Sequence, residues 1–318
     1  MKFFNIKALL AIISVMALIL VSCEEDSTVE PEPEKPEPVT NVEATSIDST
    51  SIKIKWDPSP SEANTLFDQY MIEISPGAFA PMYALKGDQT ALIPDLDEGV
   101  EYTITVKATY TNGEESIGAS VIWSPATRFT ATGTGGEIRM YEYTSDFGSG
   151  LDLYYVDPDF PDESGPMAWP TSNGEEWDLG LNTQDGVLEI APARLIPYTT
   201  LPPVDDRKVV HVASEVIEAE SLDEVYDSEA LNVAFDIDEE YMVDLTQYDK
   251  SIVIICRVME PGNTEFNYAK VWVEYKDGSF LQGTSPDRYV LAKVSYQMEA
   301  GTPYAKTEDV SQKDNNTK

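Results

Sequence analysis

Cysteine and histidine are nearly missing from this chain: Cys23, Cys256 and His211 are all there are among 318 residues. A lone histidine cannot build a multi-histidine zinc site. No nucleophile elbow accompanies it, which removes the usual setting of a serine triad. Two cysteines allow one disulfide at most. Basic residues are scarce as well, 21 lysines and arginines against 57 acids, for a formal charge of -36. A surface so negative repels phosphate backbones and anionic headgroups, so nucleic acid is excluded as a partner. Only one long apolar run exists, Ala8 to Val21, and it falls short of the roughly 20 residues that a transmembrane helix needs. The glycine cluster at 132–136 lacks the spacing of a dinucleotide loop and precedes no helix pattern, which leaves it as a linker with the freedom of a hinge.

What is present starts with a targeting segment. Lys2 and Lys7 precede the apolar run, the layout of a secretory signal. The run ends at Leu20-Val21-Ser22-Cys23, which resembles the lipobox of bacterial lipoproteins. That resemblance implies a signal peptide over 1–22, cleavage before Cys23, and a diacylglycerol on its thiol. Cys256 is then left alone in SIVIICRV, a buried-strand pattern where it serves as a small core hydrophobe. Residues 23–37 hold acids and prolines with one lysine and nothing to bury, an extended, self-repelling tether behind the lipidated cysteine. Its start, Glu24-Glu25-Asp26, resembles the surface-export signal of Bacteroidota lipoproteins and implies the outer face of the outer membrane.

From residue 38 to 128 short strands alternate with turns. SIKIKW places Ile52, Ile54 and Trp56 on one face, YMIEIS does the same with Tyr70, Ile72 and Ile74, and YTITVKATY with Tyr102, Ile104, Val106 and Ala108. Asn112-Gly113 marks a hairpin, since both residues tolerate positive φ. Strict alternation over short strands predicts an antiparallel sandwich. The opening Pro38-Val39-Thr40-Asn41-Val42, Trp56, Tyr70, and Leu96 six residues before Tyr102 resemble a fibronectin type III domain. Leu96 and Tyr102 correspond to the tyrosine corner, whose phenol bonds back to the loop before its strand. Glu98 stands where that family often has proline. No Arg-Gly-Asp tripeptide occurs, so integrin adhesion does not carry over, and such modules in bacterial surface proteins look like spacers.

Residues 133–306 are also strand-rich, with EIRMYEYT, GLDLYYV, RKVVHVA, LNVAFDI, SIVIICRVM, YAKVWVEY and RYVLAKVSY as candidate strands. Asp277-Gly278 predicts a primed hairpin turn. Helical periodicity appears only around Ser214 to Glu229. The fold class expected is therefore all-β: an immunoglobulin-like sandwich followed by a larger β-sandwich or jelly roll. Residues 307–318 are polar and predicted to be disordered.

Candidate sites cluster between Leu151 and Leu181, a stretch broken by prolines and glycines that reads as a long loop. Trp169 and Trp177, with Tyr154 and Tyr155, would offer flat faces for sugar rings, and Asp178 and Asn173 would bond the hydroxyls. For each tryptophan the competing reading is a satellite core under the loop. Asp152, Asp157, Asp159, Asp162 and Glu163 form an acidic run; Asp157, Asp159 and Asp162 are the calcium candidates, because hard oxygen ligands suit that ion. No other cofactor is implied. Asp236–Glu240 reads as a solvated turn, and His211, alternating with Val210 and Val212, as a structural histidine. The function expected is a non-catalytic surface lipoprotein that captures polysaccharide. Binding of another surface protein is the alternative, and hydrolysis is a minor one, since no pair of acids is singled out. One outcome follows from the lipobox alone: cells expressing the protein incorporate labelled palmitate into it, and Cys23→Ser abolishes both the label and membrane retention. Label retained in Cys23→Ser would refute the anchor.

Overall fold

Alternating apolar and polar residues are satisfied by a strand that buries one face. This pattern fills the computed structural model, which describes residues 34–199, 201, 203, 207–226 and 241–302. The signal peptide, Cys23, most of the tether, the strand expected at LNVAFDI, Asp236–Glu240 and the C-terminal tail lie outside the described residues. Among the described residues no helix is long and apolar enough to cross a membrane.

The first sandwich comprises β1 (Thr40–Asp48), β2 (Ser51–Asp57), β3 (Phe67–Ser75), β4 (Met82–Leu85), β5 (Thr90–Ile93), β6 (Tyr102–Tyr110) and β7 (Ala119–Trp123). One antiparallel sheet runs β1-β2-β5 and the other β4-β3-β6-β7. Ile52, Ile54, Trp56, Tyr70, Ile72 and Tyr102 are buried between them, while Ile74 is only half-buried. The ring of Tyr70 meets that of Trp56 edge-on at 5.4 Å, and its hydroxyl accepts the Ser59 N–H at 3.0 Å. Beside buried Leu96, the Asp97 N–H donates to the Tyr102 hydroxyl at 3.0 Å. At the hairpin only Gly113 takes a positive φ; Asn112 does not, so the turn is not of the primed type.

The second sandwich comprises β8 (Thr127–Phe129), β9 (Ile138–Tyr141), β10 (Gly150–Tyr155), β11 (Gly165–Trp169), β12 (Leu179–Asn182), β13 (Glu189–Pro192), β14 (Val209–Val212), β15 (Ile217–Glu218), β16 (Val243–Asp244), β17 (Ile252–Met259), β18 (Asn267–Val273) and β19 (Tyr289–Tyr296). One sheet runs β11-β10-β12-β13-β16. The other runs β14-β17-β18-β19-β8, with β15 also on β17 and β9 also on β19. Leu151, Leu153, Ile254, Cys256 and Val294 belong to the core that both sheets share. Asp277 and Gly278 both take positive φ, making the primed turn that the pair favours.

Two expectations fail here. The stretch from Leu151 to Leu181 is not a long loop, because β10 pairs with β11 on one side and β12 on the other. Its prolines mislead because Pro166 lies on an edge strand, where a missing N–H costs no ladder bond. Ser214 to Tyr226, the described part of the supposed helix, holds instead β15 and a 3₁₀ turn at Leu222–Glu224. Its apolar residues are satisfied by the outer face of the sheet, where Leu222 and Val225 join a cluster with Val253, Ile255 and Trp272.

The passage between sandwiches contains no joint. β8 begins four residues beyond Trp123 and already pairs with β19, Val294 against Phe129 and Tyr296 against Thr127. The glycine cluster follows β8 and closes into a turn, Thr132 N–H to Gly136 O at 2.7 Å, so it is not a hinge between bodies. The described residues from Pro36 onward form one compact unit. Glu98 fastens it: one carboxylate oxygen accepts the Thr127 N–H at 2.7 Å and the other its hydroxyl at 2.8 Å. Deeper in, Trp123 Nε1 donates to Ser46 Oγ at 2.9 Å, and Gln297 Nε2 to Ser124 Oγ at 3.2 Å. Lys270, buried, donates to Val225 O at 2.8 Å and lies 5.0 Å from the centre of the Trp123 ring. The Arg128 guanidinium bridges Ser46 O and the carboxylate of Asp223. Glu98→Ala strands both Thr127 donors and is expected to lower unfolding free energy by about 1–3 kcal/mol in urea titration. An unchanged midpoint would mean that the contact fastens nothing.

Candidate functional site

Trp177 is buried at 1% exposure and cannot present a face to any ligand, which corrects its expected role as a platform. It belongs to a satellite cluster with Ala191, Ala193 and Ile196. The residue opposite must be glycine, because a Cβ on Gly150 would fall 1.9 Å from a Trp177 ring atom. Trp169, at the end of β11, is half-buried, and its ring meets that of Tyr155 at 5.3 Å, close to perpendicular. Tyr154 stacks on Tyr296 at 5.4 Å, with Phe129 on it at 5.9 Å. The four aromatic residues therefore do not make one exposed surface.

Asp152 and Asp157 of the acidic run have separate surroundings. The Asp157 carboxylate accepts the N–H groups of Asp159 and Phe160, both at 2.9 Å, and so closes its own turn. The side chain of Asp162 lies outside the described residues. Among the described residues no group of three or more His, Cys, Asp or Glu is placed to hold a metal ion. His211 accepts a hydrogen bond on Nδ1 from Arg257 Nε at 3.0 Å. Burial, then the charges of Arg257 and Arg194, hold its imidazole below the ordinary value and favour the neutral form. Cys256 is fully buried, and burial pushes its thiol far above the ordinary range.

What the fold does assemble is a cleft of about 400 Å³ at one end of the second sandwich, within the range typical of small-ligand sites. Lys208 precedes β14 and Glu260 follows β17, one step beyond the paired residues Val209 and Met259. Asn267 opens β18, paired with Val258, and Tyr296 and Met298 close β19 and its continuation. Neighbouring strands thus contribute their ends to one wall. Across from them stand Asp152, Tyr154 and Tyr155 of β10, with Val156 and Glu176.

The floor is ionic. Lys208 Nζ lies 3.2 Å from Asp152 Oδ2, 3.4 Å from Asp178 Oδ1 and 3.3 Å from Glu260 Oε1. Lys208 and Glu260 come from one sheet and the two aspartates from the other, so the cluster ties the sheets together. Asp152 Oδ1 also accepts the Tyr154 N–H at 3.1 Å, and Asp178 Oδ2 the Leu153 N–H at 2.8 Å. Asp178 Oδ1 faces Lys208 without a hydrogen bond. Burial raises the Asp152 carboxyl well above the usual carboxylate range, and Asp178 adds to this against the pull of Lys208. Burial likewise raises Glu260. For Lys208 burial acts downward, but Asp178, Asp152 and Glu260 outweigh it and hold the ammonium above its ordinary value. A smaller cavity of about 30 Å³ beside Trp177 and Arg194 is water-sized. A hollow of about 360 Å³ on the first sandwich has its charges closed on each other, Lys55 to Glu43 at 2.7 Å.

Sequence reasoning noticed Asp152 and Asp178 without their partner, and missed Lys208, Glu176, Glu260, Asn267 and Tyr296. A faint signal existed: Asp152 sits between Leu151 and Leu153, a charge on a strand with core leucines on both sides. Nothing local pointed to Lys208, more than fifty residues away.

The fibronectin type III domain family matches residues 37–122, which span the first sandwich, a domain of that type. Such domains are typically non-catalytic binding or scaffold modules. Among similar solved structures, the third fibronectin III domain of the human KIAA0343 protein is 17% identical, covering 32% of this chain and 94% of its own, with a TM-score of 0.28. The fn3 domain of the human collagen alpha-1(XX) chain is 20% identical, covering 31% and 92%, with a TM-score of 0.26. No curated protein matches the chain.

Lys208→Met is expected to cost about 3–5 kcal/mol at neutral pH, since it leaves carboxylates buried without a counterion. The folded pKa values of Asp152 and Glu260 already lie above their ordinary values of 3.8 and 4.5. The folded state therefore binds these protons more tightly, and stability falls as pH rises from about 4. Removing Lys208 steepens that fall, so the loss relative to wild type shrinks on acidification to about pH 5. Urea unfolding at both pH values checks this; an equal loss at each would show that the lysine acts by packing alone.

Proposed function

We propose that this protein is a lipid-anchored, surface-displayed binding protein that captures glycans in the cleft of its second sandwich without breaking a bond. The observation that carries this reading is that Tyr155 lines one open cavity together with the carboxylates of Glu176 and Glu260. Sugar rings present C–H faces that stack on aromatic rings, and hydroxyls that bond carboxylates and amides. Acid–base catalysis is disfavoured because Asp152 is buried and paired with Lys208. The lipobox at Cys23 and the acidic tether behind it support display at the outer membrane. Calcium at Asp157 and Asp159 is not part of the proposal, since that turn is closed by its own backbone.

A second reading, docking of another surface protein, has one specific observation in its favour. Edge strand β4 exposes Tyr83 and Leu85, at 58% and 70%, which suits addition of a strand from a partner.

The test is binding of the full-length protein, solubilised in detergent, to a broad panel of polysaccharides, with Tyr155→Ala beside wild type. Binding is expected to at least one polysaccharide, and the substitution weakens it by about tenfold at unchanged melting temperature, in keeping with the worth of one stacked ring. No binding across the panel would refute glycan capture and favour the protein partner.

A further inference from the structure

The charge of the cleft says more about its ligand than its rings do. We infer that the cleft takes a glycan bearing a protonated amine, such as a deacetylated amino sugar, in preference to neutral or carboxylated ones. This rests on the reading of the cleft as a glycan site.

The lining carries Asp152, Glu176 and Glu260 against a single cation, Lys208. Lys208 does not offset them for a ligand, because its ammonium sits between three carboxylates at 3.2, 3.3 and 3.4 Å. One of these, Asp178, stands behind the floor, 2% exposed at its side chain, with Oδ1 lacking any hydrogen bond. The lysine side chain is 10% exposed while that of Glu260 is 40% exposed. The cation therefore lies at the bottom and a carboxylate at the mouth. Glu176 adds its field at the same mouth, raising the cost of ionising Glu260. A cavity with anionic walls and low-dielectric sides concentrates cations and rejects anions. An ammonium on a sugar ring would enter between Glu176 and Glu260, making charge-assisted hydrogen bonds to both. The Tyr155 ring in the same lining would favour a cation through its π face. A carboxylated sugar would meet uncompensated repulsion, and an acetylated one would lose the ionic contacts while keeping the stacking.

The experiment titrates full-length protein in detergent with three matched oligosaccharides: one of glucosamine, its N-acetylated counterpart and one of uronic acid. It is run at about pH 6, where an amine of this type is protonated. The glucosamine oligosaccharide is expected to bind about tenfold or more tightly than the acetylated one, as one charge-assisted contact supplies, and the uronic acid not at all. Glu176→Gln and Glu260→Gln are each expected to weaken glucosamine binding by about tenfold. Both should weaken binding of the acetylated form far less than that of the amine, with melting temperatures as folding controls. The exposed acid Glu215, beyond the far end of β14, is the control for bulk charge, and Glu215→Gln should change nothing. Equal affinity for amine and acetyl forms, or an equal loss in Glu215→Gln, overturns the preference while leaving glycan capture standing. So does binding of some other polysaccharide with none of these three. Failure of every glycan to bind removes the reading and the inference together.

Discussion

One buried lysine holds the second sandwich to its shape. Lys208 and its three carboxylates join a sheet that supplies Lys208 and Glu260 to a sheet that supplies Asp152 and Asp178. Charges removed from water are costly, and what makes the arrangement tolerable is that every carboxylate has the lysine beside it and the two aspartates also accept backbone N–H groups. Such a cluster stabilises less than an apolar plug of equal volume would, but it cannot tolerate disorder. It therefore fixes how the ends of β14, β17 and β10 stand relative to one another, and their separation is the cleft. The floor of the proposed binding site and the clamp between the sheets are the same atoms.

The first sandwich stands in an equally constrained relation to the second. A module of this type would act as a flexible spacer if its last strand led into a free linker. Here β8 enters the sheet of the second body at once, and Glu98, Arg128 and Gln297 bond across the seam. Glu98 occupies the position where related domains often carry proline, and a proline could accept neither bond from Thr127. The departure from the family pattern is thus the residue that fastens the two bodies.

Period two identified the buried face wherever one side of a strand packs on the facing sheet: Ile52, Ile54 and Trp56, or Tyr102, Ile104 and Val106. The pleat alone puts alternate side chains on one face, whatever covers it. Reading failed at Trp177, whose environment is set by Gly150, Ile196 and Ala191 from three separate segments. The prolines of 158–170 suggested a loop throughout, yet Pro166 sits inside the edge strand β11. Between Ser214 and Tyr226 the apolar residues looked helical because the surface they cover, the outer face of β17 and β18, appears nowhere near them in sequence.

The alternation, the turn residues and the Leu96–Tyr102 spacing determined by themselves that the chain is all-β and opens with a fibronectin type III sandwich. The acidic charge of -36 likewise needed no coordinates to read. Only the tertiary structure decided which acids meet and which aromatic residues reach solvent. Local patterning reports which face of a strand is apolar. Asp152, Asp178, Lys208 and Glu260 become one site through the packing of two sheets, an interaction between residues that no periodicity connects.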